Sequence, residues 1–254
     1  MLINNHHLYV EEYGPENGPK LIWLHHGLGS TLSWRGQAEV FAEKGFHVIL
    51  YDRWGYGRSD VREQFSMPFF SEDIEDLDEL FKLLKINHAG LVGHSDGGTI
   101  ALLFAARHPE LVSSLVIAAA HIYIESSMEN GVQSIYKSFH SDPEFRTGLR
   151  RAHPGKGDTV FNLWYSGWTN GEHEDWNITS ILWQISCPTL IIQGEADEHA
   201  TLQHARDIAA HINGSILWIP KKIGHMLPQK APDEFNEHVT NFLMSLAHPI
   251  QSLW

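Results

Sequence analysis

Short apolar runs alternate with stretches of helical periodicity along most of the chain, a rhythm that predicts a parallel sheet covered by helices. The runs expected as strands are residues 7–13, 20–25, 47–51, 89–93, 114–119, 189–193 and 215–219. Most are unbroken in Leu, Ile and Val, as strands buried on both faces should be. Between them, residues 72–85 place Ile74, Leu77, Phe81 and Leu84 on one helical stripe behind a Ser71 cap. Glu72 and Asp73 open that helix and Lys82 and Lys85 close it, which complements the helix dipole. Residues 97–108 form a nearly apolar helix stopped by Pro109, and residues 233–246 close the chain with Phe235, Val239, Phe242 and Leu246 inward.

One stretch breaks the alternation. From residue 121 to 186 no strand pattern occurs and large aromatics dominate, among them Tyr136, Phe145, Phe161, Trp164, Trp168 and Trp183. A crossover needs only about a dozen residues, so this length predicts a helical lid inserted between two strands. The domain plan is then a core of residues 1–120 and 187–254, with the lid at 121–186. Ordinary crossover helices packing their aromatics into the core are the alternative.

With 31 acidic and 18 basic residues the formal charge is −13, which argues against nucleic acid and disfavours strongly anionic substrates. Neutral or cationic small molecules are the easier guests. Cys187 is the single cysteine, so no internal disulfide can form. The first residues lack a basic and then apolar leader pattern, and no apolar run approaches the ~18 residues of a membrane span. A soluble cytoplasmic protein with no membrane partner is expected; oligomeric state is not legible.

The chemistry concentrates in Gly93-His94-Ser95-Asp96-Gly97, which fits the Gly-x-Ser-x-Gly nucleophile elbow between a strand and a helix. A serine hydroxyl needs a base to remove its proton. Among 18 histidines, His225 stands out: it follows the last strand in a Gly-His pair, downstream of an acid. Asp197, just past the strand 189–193, is the acid expected to orient it, giving the chain order Ser, Asp, His. Glu195, Glu198 and Glu125 are alternative acids. Two backbone N–H groups should receive the developing oxyanion. Asp96, after the nucleophile, supplies one, and Leu28, in His25-His26-Gly27-Leu28-Gly29-Ser30, the other. His94, Trp164 and Trp168 are expected on the substrate side. Neither Gly-rich loop completes a dinucleotide fingerprint, and the His pairs lack metal-ligand company, so no cofactor and no metal are expected.

These motifs, with the loop Asp52-Arg53-Trp54-Gly55-Tyr56-Gly57-Arg58-Ser59, resemble the α/β-hydrolase superfamily along the whole chain. Residues 93–98 and 188–197 are similar to the biphenyl-hydrolase-like (valacyclovir-hydrolase-like) serine esterases. The resemblance implies an α/β fold with a mostly parallel central sheet, helices on both faces and a helical lid. It also implies that Asp96 pairs with the ammonium of an α-amino-acid ester. A structural partner for Asp96, such as Arg146, Arg150 or Arg151, is an equal alternative.

Hydrolysis of a small-molecule carboxylic ester is therefore the leading reading. Carbon–carbon hydrolysis of a vinylogous diketone would use the same groups, but its substrates carry carboxylates and no basic cluster adjoins the elbow. A ligand-binding protein that has lost turnover is the non-enzymatic alternative.

Overall fold

The computed structural model describes residues 1–170 and 175–247. The chain opens with a small hairpin, β1 (Leu2–Ile3) and β2 (His6–His7), turned by Asn4 and Asn5 at φ 45° and 71°. Asn tolerates this left-handed region better than most residues. The strand expected over residues 7–13 is therefore divided: only β3 (Val10–Tyr13) joins the main sheet. The central strands follow as β4 (Lys20–Leu24), β5 (His47–Tyr51), β6 (Ala89–His94), β7 (Val112–Ala118), β8 (Thr189–Ile192) and β9 (Ile216–Trp218).

Their order across the sheet is β3-β5-β4-β6-β7-β8-β9, and every pair is parallel except β3 with β5. Alternation along β4 shows how both faces are filled. Ile22 and Leu24 join one core with Leu91, Ile100, Phe104 and Leu115. Leu21 and Trp23 join the opposite core with Trp34, Phe41 and Phe235. Successive side chains of a strand point to opposite faces, so a continuous apolar run requires cover on both.

That cover comes from α1 (Arg35–Glu43), the short α8 (Leu227–Lys230) and α9 (Pro232–Ala247) on one face, and from α2 (Ser71–Leu83), α3 (Asp96–Arg107) and α7 (Gln203–His211) on the other. Helix α3 is buried on nearly every side, which explains its apolar composition. Two details depart from the sequence pattern. Phe70, in a left-handed conformation, occupies the N-cap of α2 with no side-chain cap, and Ser71 is its first helical residue. In α9, Leu243 is buried where Leu246 was expected, and Leu246 is exposed.

Between β7 and β8 lie α4 (Ser126–Ser141), α5 (Pro143–Ala152), α6 (Gly157–Thr169) and the 3-10 helix Thr179–Gln184. An isolated bridge pairs Tyr123 with Asn177. Phe139, Leu149 and Phe161 form a small core of their own here, with Phe139 and Phe161 stacked at 3.7 Å. Trp164 and Trp176 instead join the large core beneath. The aromatics of this segment thus both hold it together and fasten it to the sheet.

Candidate active site

Strand β6 runs into α3 through Ser95, whose φ of 54° and ψ of −122° lie outside the ordinary regions for an L residue. The turn is fastened by Ser95 N donating to Ala118 O at 2.8 Å and Thr99 N donating to Ser95 O at 3.0 Å. Its glycines are spatial necessities. A Cβ on Gly93 would collide with the Gly97 carbonyl, and one on Gly97 with the Leu24 carbonyl. Strand and helix can cross this closely only without side chains.

The loop after β9 brings His225 to this turn. Its Nε2 lies 3.0 Å from Ser95 Oγ, and its Nδ1 lies 3.0 and 3.1 Å from the two oxygens of Asp197, on the loop after β8. Asp197 Oδ1 also accepts the N–H groups of His199 and Ala200 at 2.9 and 3.2 Å. The other acids are engaged elsewhere. Glu125 accepts from Thr201 N and Oγ1, and Glu195 from Lys222 N. Glu198 accepts the backbone N–H of His225 at 3.0 Å, not its ring.

Ser95, His225, Leu28 and Asp96 face a cavity of about 240 Å³ whose other walls include Trp164 and Trp168. The N–H of Asp96, in the first turn of α3, has no partner within the helix. His94 is a correction: it is fully buried and absent from the cavity wall, and its Nε2 donates to His225 O at 2.9 Å. Alternation along β6 explains this, since the residue preceding the turn must point away from the side Ser95 takes.

Asp96 is held from beneath. Its Oδ2 lies 3.7 Å from Arg53 Nη2 and its Oδ1 3.4 Å from His121 Nε2. These structural partners are not the arginines of the insertion that stood as the alternative; Arg150 pairs instead with Asp158. Arg53, itself fully buried, donates to Asp73 at 3.1 Å, and Asp73 in turn receives Arg62 at 3.1 Å. Even so, Oδ2 of Asp96 is buried without a hydrogen-bond partner among the described residues.

A family model of the α/β hydrolase fold matches residues 20–179. The human "Serine hydrolase BPHL" is 31% identical over 95% of this chain and 84% of its own length. A proline iminopeptidase of Saccharolobus solfataricus is 25% identical over 88% of this chain and 84% of its own. In structure, an esterase from Exiguobacterium antarcticum superposes with a TM-score of 0.76 at 23% identity, covering 96% of this chain and 98% of that one. The chain belongs to the α/β-hydrolase family. It is a hydrolase close to the BPHL-like serine hydrolases.

In this hydrolase, burial alone would raise the Asp197 carboxyl, but the His225 hydrogen bond and charge, with the two backbone N–H donors, bring it below its ordinary value. Burial pushes the neighbouring histidines the other way. His26 falls to about 3, His199 and His153 to about 4, and His94 well below the usual imidazole range. The neutral form is favoured in each, which limits the positive charge facing His225 from His26, His94 and His199.

Sequence reasoning did not single out His121, His153 or His199, and it noted Arg53 only as part of the loop 52–59. No local signal distinguishes these positions among so many histidines; only their burial and partners do.

Proposed function

We propose that this hydrolase cleaves small carboxylic esters through a Ser95–His225–Asp197 triad and an acyl-enzyme. The observation that carries the reading is the continuous row from Ser95 Oγ through the His225 ring to Asp197, opening on a largely apolar cavity. As Ser95 Oγ bonds to the ester carbonyl carbon, His225 Nε2 takes its proton. The Leu28 and Asp96 N–H groups receive the oxyanion. His225 then protonates the leaving alcohol, and water, deprotonated by His225, releases the acid.

An amino-acid-type ester fits the cavity. Oδ2 of Asp96, close to Arg53 but without a hydrogen bond, supplies an acceptor for a substrate ammonium, while Trp164, Trp168 and Phe145 offer apolar surface to the side chain. The segment α4–α6 acts as the lid over this cavity. Carbon–carbon hydrolysis is less well supported, because the cavity wall carries no Lys or Arg among the described residues to meet a carboxylate. No helix among the described residues is long and apolar enough to cross a membrane.

The deciding experiment is the initial rate on p-nitrophenyl acetate, wild type beside Ser95→Ala. Turnover by the wild type and a kcat at least ~10³-fold lower in the variant are expected. Full activity in Ser95→Ala would overturn the serine mechanism.

A further inference from the structure

His153 stands at the C-terminus of α5, outside the triad and the cavity wall, yet it is fully buried and both ring nitrogens are engaged. Gly57 N donates to Nδ1 at 2.7 Å, so Nδ1 carries no proton and the proton resides on Nε2. Nε2 then donates to the backbone carbonyl of Leu28 at 3.0 Å. The adjoining amide of the same peptide unit is also held, because Gly29 N donates to His26 O at 3.0 Å. The Leu28–Gly29 peptide is therefore gripped at both ends. Its C=O is held by a residue of the helical insertion and its N–H by the loop's own turn.

The geometry points to His153 as a positioning residue that aims the Leu28 N–H into the oxyanion hole and thereby couples the α4–α6 segment to the chemistry; this rests on the serine-hydrolase reading above. Fixing the carbonyl of Leu28 restricts rotation about its Cα–C bond. The N–H one peptide earlier is left with little freedom to swing. An oxyanion donor contributes through being aimed before charge develops, so loosening this peptide should weaken transition-state binding more than ground-state binding. The tautomer needed is set by Gly57, in the loop that Asp52 ties down through Arg58 N at 2.7 Å and Thr31 N at 2.6 Å. Around the imidazole, Arg53 and Lys156 are the nearby cations, and Tyr56 packs at 6.0 Å. Protonation would turn Nδ1 into a donor facing the Gly57 N–H, a repulsion that the neutral ring avoids.

The test uses the full chain with His153→Leu and His153→Gln, assayed on p-nitrophenyl acetate and with a trifluoromethyl ketone, whose adduct on Ser95 carries an oxyanion. In His153→Leu, kcat is expected to fall about 10–100-fold, the scale of misplacement effects. The inhibition constant of the ketone should rise by the same factor, while KM stays within about twofold. His153→Gln, whose amide N–H2 can reach the Leu28 carbonyl, should recover most of that loss. A kcat in His153→Leu within about threefold of wild type, or a Gln variant as impaired as the Leu variant, would overturn the role. Should His153→Leu fail to fold, His153→Asn, too short to reach Leu28, replaces it; equal kcat and ketone affinity in the Asn and Gln variants would overturn the inference. Ser95→Ala run in parallel separates the two levels. Activity surviving there refutes the serine reading, whereas a dead Ser95→Ala beside an unimpaired His153→Leu refutes only the positioning role.

Discussion

Nδ1 of His225 lies 3.0 Å from Oδ1 of Asp197 and 3.1 Å from Oδ2, so the ring meets the carboxylate across its forked face. An anion there holds the proton on Nδ1 and leaves the Nε2 lone pair facing Ser95 Oγ. Asp197→Asn should upset this, because the amide presents an N–H that favours the other tautomer. A kcat lower by roughly 10³–10⁴-fold with KM little changed is expected from steady-state kinetics. A loss under about tenfold would remove Asp197 from the tautomer-setting role.

Asp96 offers a test of substrate class. In Asp96→Asn, kcat/KM for an α-amino-acid ester should fall by about 100-fold, the scale of a charge-assisted hydrogen bond lost from a dry site. The matched ester lacking the amine should change by less than about threefold. Equal losses on both esters would instead mean that Asp96 acts by balancing Arg53, its neighbour at 3.7 Å.

Gly97 shows how tightly the elbow is built. Its missing side chain makes room for the backbone carbonyl of Leu24, so Gly97→Ala must push β4 and α3 apart. Urea unfolding should report a loss of about 1–3 kcal/mol. Gly36 serves as the contrast: it sits within α1 and an added Cβ there meets open space. Gly36→Ala should leave stability unchanged or raise it by about 0.5–1 kcal/mol.

A pH-dependent element lies on β3, far from the chemistry. Glu11 accepts from Arg35 Nε at 3.0 Å and from the hydroxyls of Tyr9 and Tyr13, each at 2.8 Å. Burial raises its carboxyl, but Arg35 and the two tyrosines outweigh that and lower it from 4.5 to about 2. A depressed acid contributes its full stabilisation above the unfolded value and loses it as pH falls through the folded one. Glu11→Gln should therefore be less stable than wild type at pH 7, by about 1–2 kcal/mol after allowing for solvent screening. The difference should shrink between pH 4.5 and about 2. A gap that stays constant over that range would assign the effect to packing.

Much of this architecture is written locally. Buried strands such as β5 and β6 are legible because cover on both faces demands continuous apolar residues, and α3 because its apolar length ends at a proline two residues past the helix. The Gly-x-Ser-x-Gly spacing is equally local, since the crowding of β6 against α3 involves neighbours in sequence. The division of the first strand was harder to see. Two adjacent asparagines reverse the chain, and nothing in the apolar pattern of residues 7–13 announces that Leu8 and Tyr9 leave the ladder.

The sequence by itself determined the alternation of strands and helices and the position of the turn that carries Ser95, because each depends on residues within a few positions of one another. Only the tertiary structure decided which side chains share the cavity. His94 turns away, Arg53 rises beneath Asp96 from 43 residues earlier in the chain, and His153 reaches Leu28 across 125 positions. A histidine's partners and protonation follow from its burial and from the groups packed around it. Those are contacts between segments distant in sequence, and no local pattern encodes them.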